Sequence, residues 1–313
     1  EIASCLVGSE MCIRDRFFRF WKKFMRHSPL DNNNPGPIVR YPRVLSIAGS
    51  DSGGGAGIQA DLKTFSALGC YGMTAITALT AQNTQGVRAI HAVPCDFLRT
   101  QIDAVVEDIG VDAVKIGMLH STEVVRTVAD ALDAHGLDRV VFDPVMVSAS
   151  GAALIDERAI SSLVELLFSR ATLITPNLDE AVLLLGRPLQ TEHDLKDAAR
   201  QLLDLGARAV LLKGGHLPGH EILDVLAWRD EQGQVQSHAL QSPRIATHNL
   251  HGTGCTLSSA IAAYLALGLD LLSSVQAARA YVMSALNAGA HVRTGGGVGP
   301  LNHGFAPQAM QVR

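Results

Sequence analysis

From Arg43 to the end of the chain, short apolar and β-branched runs alternate with longer helix-forming stretches, and this alternation restricts the fold more than any other feature. Val44–Ala48, Thr74–Leu79, Ala113–Ile116, Arg139–Phe142, Thr172–Thr175 and Ala209–Leu212 read as strands. Ile58–Leu68 and the segments at about 97–108, 121–135, 156–168, 177–185, 191–205, 255–267 and 271–290 read as helices. Such a pattern predicts an α/β domain in which a central, mostly parallel sheet is flanked by helices on both faces. One catalytic domain spanning 43–313 is expected, with ligands beyond the carboxyl ends of the strands.

Residues 1–42 do not share the pattern. Phe17, Phe18, Phe20 and Phe24 are interleaved with Arg16, Arg19, Lys22, Lys23 and Arg26, a spacing that suits a basic amphipathic helix. The tract Asp31-Asn32-Asn33-Asn34-Pro35-Gly36-Pro37 reads as a linker, and a flexible or partly non-native extension without a catalytic part is the expectation. A formal net charge of −4 lacks the basic excess of nucleic-acid-binding domains. No apolar run approaches the roughly 18 to 20 residues of a membrane span. The five cysteines are widely spaced with no CxxC pair, so neither a disulfide framework nor a zinc site is indicated. A cytoplasmic protein acting on small molecules is expected, with no nucleic-acid or membrane partner.

Several glycine-rich turns fall where strands should end. Gly49-Ser50-Asp51-Ser52-Gly53-Gly54-Gly55-Ala56-Gly57 follows the first strand and opens the first helix, and Gly55 to Ala60 matches a dinucleotide fingerprint. A dinucleotide site also needs an acid some 20 residues on, and no Asp or Glu stands between Asp61 and Asp96. None of the six lysines follows a glycine, which rules out a P-loop. Any ATP site must use another scaffold. Gly252-Thr253-Gly254-Cys255 opens a helix, where free N–H groups and the helix dipole suit an anion and favour a lowered thiol pKa. An ordinary turn with an idle, buried cysteine fits the same residues.

Three further segments supply complementary chemistry. Val141 to Met146 places Asp143 at a strand end, Thr175 to Glu180 places Asn177 and Glu180 at a helix head, and Leu212 to His216 adds Lys213 and a glycine pair. Carboxylates there can hold Mg²⁺, while lysine and glycine N–H groups neutralise phosphate. Each also has a bland reading: Asp143 as a cap, Asn177 with Glu180 as a capping pair, Lys213 as a solvated charge. Together with the 252–255 turn they form a phosphoryl-transfer set. His216, His251 and His303 adjoin glycine-rich segments and are candidates to line the site, and none is assigned as a general base.

The segments 49–87, KIGML (115–119), DPVM (143–146), LITPNLDEA (173–181), LKGGH (212–216) and HGTGCTLSSAIAA (251–263) resemble, in this order, the bacterial hydroxymethylpyrimidine/phosphomethylpyrimidine kinases of thiamine biosynthesis. The resemblance covers essentially all of 43–313. It implies the ribokinase-like three-layer fold, ATP with Mg²⁺, and two successive phosphorylations of 4-amino-5-hydroxymethyl-2-methylpyrimidine. It further implies that Gly49, Asp61, Gln82, Met118 and Val145 hold the pyrimidine. Asp143 and Glu180 would serve the metal, Asn177 and Lys213 the nucleotide phosphates, and Gly252, Thr253, Gly254 and Cys255 the anion hole, with Cys255 as the base. A homodimer is the expected assembly. The Gln82 amide has a physical rationale, since its acceptor and donors match the amino group and ring nitrogen of an aminopyrimidine. The glycine run Gly295 to Gly299 departs from the family pattern, which tends to place a polar residue there.

Overall fold

In the computed structural model, residues 39–146, 155, 157–189 and 191–313 are described. The reading of the leader therefore lies, except for 39–42, outside the described residues. The unit Tyr41–Arg313 is built on one sheet. Its strands are β1 (Arg43–Asp51), β2 (Tyr71–Asn83), β3 (Gly86–Ala92), β4 (Ala113–Ile116), β5 (Val140–Phe142), β6 (Leu173–Ile174), β7 (Ala209–Leu212), β8 (Glu221–Arg229) and β9 (Val235–Pro243). The helices are α1 (Gly57–Ala67), α2 (Cys95–Asp108), α3 (Thr122–His135), α4 (Glu157–Leu167), α5 (Leu178–Leu185), α6 (Glu192–Asp204), α7 (Thr253–Ala266) and α8 (Leu271–Gly289).

The strand order is β3-β2-β1-β4-β5-β6-β7-β8-β9. The six strands from β2 to β7 are parallel, and β3, β8 and β9 extend the two edges antiparallel. The inner strands read as apolar runs because both faces are covered. Leu45, Ile47, Val114, Ile116 and Phe142 pack beneath α2 to α6, while Val44, Ala113, Val141 and Leu173 pack beneath α1, α7 and α8. The expected three-layer class is what the chain adopts.

The three antiparallel edge strands were not expected from the sequence, and β2 runs further at both ends than the Thr74–Leu79 core of its signal. The reason is burial. β3 and most of β9 face solvent, so Arg88, His91, Gln236 and Ser237 interrupt the apolar run that marks an inner strand. β8 is buried in its middle, but its ends carry Glu221 and Arg229.

Two polar positions in the sheet foreshadow the site. Ser46 of β1 lies directly opposite Lys115 of β4 in the register, both completely buried on the α1/α7 face. Asp61 of α1 fills the gap between them, accepting from Ser46 Oγ at 2.6 Å and from Lys115 Nζ at 2.9 and 3.0 Å. Ser259 of α7 completes its shell at 2.6 Å. The fully buried Lys115–Asp61 ion pair thus ties β1, β4, α1 and α7 together.

Candidate active site

The carboxyl ends of the parallel strands carry the chemistry in spatial order. Along β2-β1-β4-β5-β6-β7 the strand ends present Gln82, then Gly49, then Met118, then Asp143 and Val145, then Thr175, then Lys213. Residues far apart in the chain therefore stand in a row because the strand order places them so.

In the first half of the row Gly49 and Met118 are buried and packed against each other, with Gln82 and Val145 partly exposed beside them. A Cβ on Gly49 would lie 2.6 Å from Met118 Cε, so any larger residue there would displace the end of the Met118 side chain. Thr77 Oγ1 donates to Met118 O at 2.9 Å and fixes the backbone there. Gln82 is half-buried, with its main chain bonded both ways to Ser52. Thr80 Oγ1 reaches Gln82 Oε1 at 3.0 Å, and Gln82 Nε2 has no protein partner among the described residues. Val145 is partly exposed just beyond β5.

Asp61, expected beside these residues, has a different placement. It is completely buried, and both its oxygens already accept hydrogen bonds from Lys115, Ser46 and Ser259. It braces β1, β4 and α7 behind the strand ends and presents no free oxygen. Lys115, which the residue pattern left without a role, is its partner. A lysine inside the four-residue buried strand Ala113–Ile116 was the available signal, because a buried ammonium requires a carboxylate.

The second half of the row is charged. Asp143 is buried, and its Oδ1 accepts from Lys213 Nζ at 2.8 Å and from Thr175 Oγ1 at 2.9 Å. Lys213 is only 14% exposed, so the solvated-charge reading does not hold. Burial works against both ionised groups, yet each holds the other charged: Lys213 lies above its ordinary pKa and Asp143 below. Asn177 and Glu180 do form a capping box at α5, Asn177 Oδ1 accepting from Glu180 N at 2.9 Å and Glu180 Oε2 from Asn177 N at 2.7 Å. The bland and functional readings of this pair are therefore compatible. Burial pushes Glu180 up to about 7; Lys213 pulls it down and the nearby Asp143 charge pushes it further up.

Across from this cluster stands the head of α7. Gly252 is its N-cap at φ +83, a left-handed conformation that favours glycine, and a Cβ there would meet Gly55 O at 1.9 Å. Gly252 O accepts from both Thr256 N and Thr256 Oγ1 at 2.8 Å, which secures the turn. A Cβ on Gly254 would come within 3.3 Å of Lys213 Nζ and 3.5 Å of Asp143 Oδ2. The helix N-terminus and the Lys213–Asp143 pair thus converge on one point. Cys255 is the third residue of α7.

The expected fall in the Cys255 pKa is not found. Burial raises the thiol to about 11; Lys115 and the Gly57 N–H lower it, while Asp61 and Asp143 raise it. A helix N-terminus supplies only partial charge, and here desolvation and two carboxylates outweigh it. The resting thiol is protonated at neutral pH.

Asp51 is a further site residue, one to which the sequence pattern gives no role. At the end of β1 it accepts from the N–H groups of Gly53 (2.8 Å), Gly55 (3.0 Å) and Ala56 (2.9 Å), which folds the glycine loop around one carboxylate. An Asp two residues before a glycine run is the signal for such a turn. The three histidines near glycine segments separate. His251 is buried against Asp51, His303 is buried against Thr256 Oγ1 at 2.9 Å, and His216 is exposed and pairs with Asp179 at 2.9 Å. Burial lowers His303 to about 4, which leaves it neutral.

Residues 51–302 match the family described as phosphomethylpyrimidine kinase. The hydroxymethylpyrimidine/phosphomethylpyrimidine kinase of Streptomyces coelicolor is 48% identical over 272 residues, covering 87% of this chain and 98% of that protein. The thiamine biosynthesis bifunctional protein ThiED of Geobacter sulfurreducens is 49% identical over 275 residues, and the match spans 87% of this chain but only 55% of that longer protein. Among solved structures, the ADP complex of Bacillus subtilis pyridoxal kinase is 37% identical, with a TM-score of 0.76 over 84% of this chain and 98% of that one. The fold is accordingly ribokinase-like, the enzyme is an ATP-using phosphotransferase that acts on a small molecule, and the chain belongs to the phosphomethylpyrimidine kinase family.

Proposed function

We propose that this chain transfers the γ-phosphoryl group of ATP to the hydroxymethyl oxygen of 4-amino-5-hydroxymethyl-2-methylpyrimidine, and then a second phosphoryl group to the monophosphate formed. The carrying observation is the row of strand ends, in which Gln82, Gly49 and Met118 stand next to the Asp143–Lys213 cluster facing the head of α7. An acceptor ring held at Gln82, Gly49 and Met118 would have its hydroxymethyl arm toward the point where Lys213 and the first N–H groups of α7 meet. Phosphoryl transfer asks for positioning and charge neutralisation, and this arrangement offers both.

Gln82, with a free amide nitrogen, takes the aminopyrimidine edge; Met118 and Val145 line the ring, and Asp61 is a positioning residue. Lys213 neutralises the transferred phosphoryl group, while Asn177 caps α5 and orients Glu180 toward the nucleotide. Mg²⁺ fits the residues present. The buried carboxylates of Asp61, Asp143 and Glu180 face two ammonium groups, Lys115 and Lys213, which leaves an unbalanced negative charge and Glu180 near neutrality. Asp143 and Glu180 would hold the ion, directly or through water, together with the nucleotide phosphates. When bound, it supplies positive charge to the phosphate oxygens and offsets the carboxylate field that holds the Cys255 proton.

Cys255 receives the hydroxymethyl proton in the first step as the thiolate, so the resting thiol must first give its own proton to solvent. In the second step the acceptor is an ionised phosphate, and no proton need be taken. ADP release is measured with hydroxymethylpyrimidine, its monophosphate and pyridoxal in parallel. Turnover of both pyrimidines is expected, and turnover of pyridoxal alone overturns the reading. A homodimer in the cytoplasm remains the proposed setting, with sedimentation equilibrium as the test of assembly.

A further inference from the structure

The geometry points to the Asp51–His251 pair as a positioning joint that locks the acceptor-side glycine loop (49–57) to the phosphate-side turn (251–255). This inference rests on the reading of the site as a phosphoryl-transfer centre. His251 Nε2 lies 2.8 Å from Asp51 Oδ2, across 200 residues of chain, and the two side chains are 10% and 2% exposed. The same carboxylate gathers the N–H groups of Gly53, Gly55 and Ala56. One side chain therefore organises the first loop and holds the second.

The backbones mesh at this point. A Cβ on Gly55 would lie 2.4 Å from His251 Cδ2, and one on Gly252 would lie 1.9 Å from Gly55 O. Neither loop can shift toward the other without steric conflict, and the hydrogen bond prevents them from parting. His251 N also donates to Gly299 O at 3.0 Å, which fixes the far side of the turn. Downstream of the joint on one strand of the connection is Gly252, the cap of the anion hole; downstream on the other is Gly57, whose N–H faces Cys255. The pair touches no reacting atom in this arrangement. Its effect is to set the distance between acceptor oxygen and anion hole, a quantity to which transfer rates are steeply sensitive.

An ordinary loop brace would move stability and nothing else, so the test separates the two. His251→Leu removes the donor, and His251→Gln restores an N–H of similar reach. Steady-state kinetics are measured with both pyrimidines, together with binding of a non-hydrolysable ATP analogue and amide hydrogen exchange of the two loops. The joint predicts that His251→Leu lowers kcat by about 10- to 100-fold while KM for the pyrimidine and the analogue affinity stay within about threefold. His251→Gln should recover most of kcat. Exchange should quicken in 52–57 as well as in 251–256 for His251→Leu, and remain near wild type for His251→Gln. Equal kcat losses in the two variants, or faster exchange confined to 251–256, overturn the joint. If wild type turns over neither pyrimidine, the underlying reading fails, and the exchange data still decide whether the loops are coupled. Should His251→Leu not fold, His251→Asn, polar but too short to span the gap, replaces it in every measurement.

Discussion

Glu180 offers the sharpest test of the charged half of the site. Its carboxyl is raised from 4.5 to about 7, first by burial and then by the Asp143 charge, with Lys213 and the Asn177 and Met146 N–H groups acting in the opposite direction. A raised acid means that the folded state binds the proton more tightly than the unfolded chain. Its contribution to stability is therefore fully present below 4.5 and is lost as pH rises through about 7. The gap corresponds to about 3 kcal/mol at its upper limit. Glu180→Gln removes this dependence. The amide accepts through one oxygen, so one of the two N–H groups loses its partner at a cost of about 1 to 3 kcal/mol. That cost does not change with pH, whereas the ionisation penalty does. The difference in unfolding free energy, variant minus wild type, should therefore climb by about 2 to 3 kcal/mol from about pH 4.5 to about pH 8. For a domain of this size, this is a relative gain in Tm of roughly 3 to 6 °C. Thermal unfolding without nucleotide or divalent cations, in matched buffers, measures it. A difference that is flat with pH, or that falls, refutes the assignment of a buried, strained carboxylate beside Asp143.

Cys255→Ala should lower hydroxymethyl phosphorylation by about 10²- to 10⁴-fold while lowering monophosphate phosphorylation by less than about tenfold, as read by ADP release; equal losses count against the base role. Because the resting thiol stands at about 11, its alkylation by iodoacetamide should remain slow at neutral pH and accelerate about tenfold per pH unit until near that value. Gly252→Ala must place a Cβ against Gly55 O at 1.9 Å in a left-handed conformation, and a loss of about 2 to 4 kcal/mol in urea unfolding is expected. Lys115→Met leaves the buried Asp61 charge unpaired and should cost about 3 to 5 kcal/mol, whereas Lys115→Met with Asp61→Asn should recover most of it; strictly additive losses would show that the pair is not coupled.

The parts of the molecule that were legible in the sequence are those where burial on both faces leaves an unbroken apolar run. Ala113–Ile116 and Ala209–Leu212 coincide with β4 and β7 for that reason, whereas β3, whose side chains face water, left no comparable trace. The site residues divide in a similar way. Asp143, Lys213 and the 252–255 turn were recognisable because glycine, acid or lysine at a strand end is chemically conspicuous. What a linear reading could not supply is which polar groups take up one another's capacity. Asp61 and Gln82 look equally suited to a ligand in the sequence, yet the register that sets Ser46 opposite Lys115 commits Asp61 to the interior and leaves Gln82 with a free amide nitrogen. The same holds for Cys255. Its position at a helix head is a local fact, but the field at its sulfur is the sum of burial, Lys115, Asp61 and Asp143, brought together by two strands and two helices. The thiol pKa is a property of that assembly and not of the helix head alone.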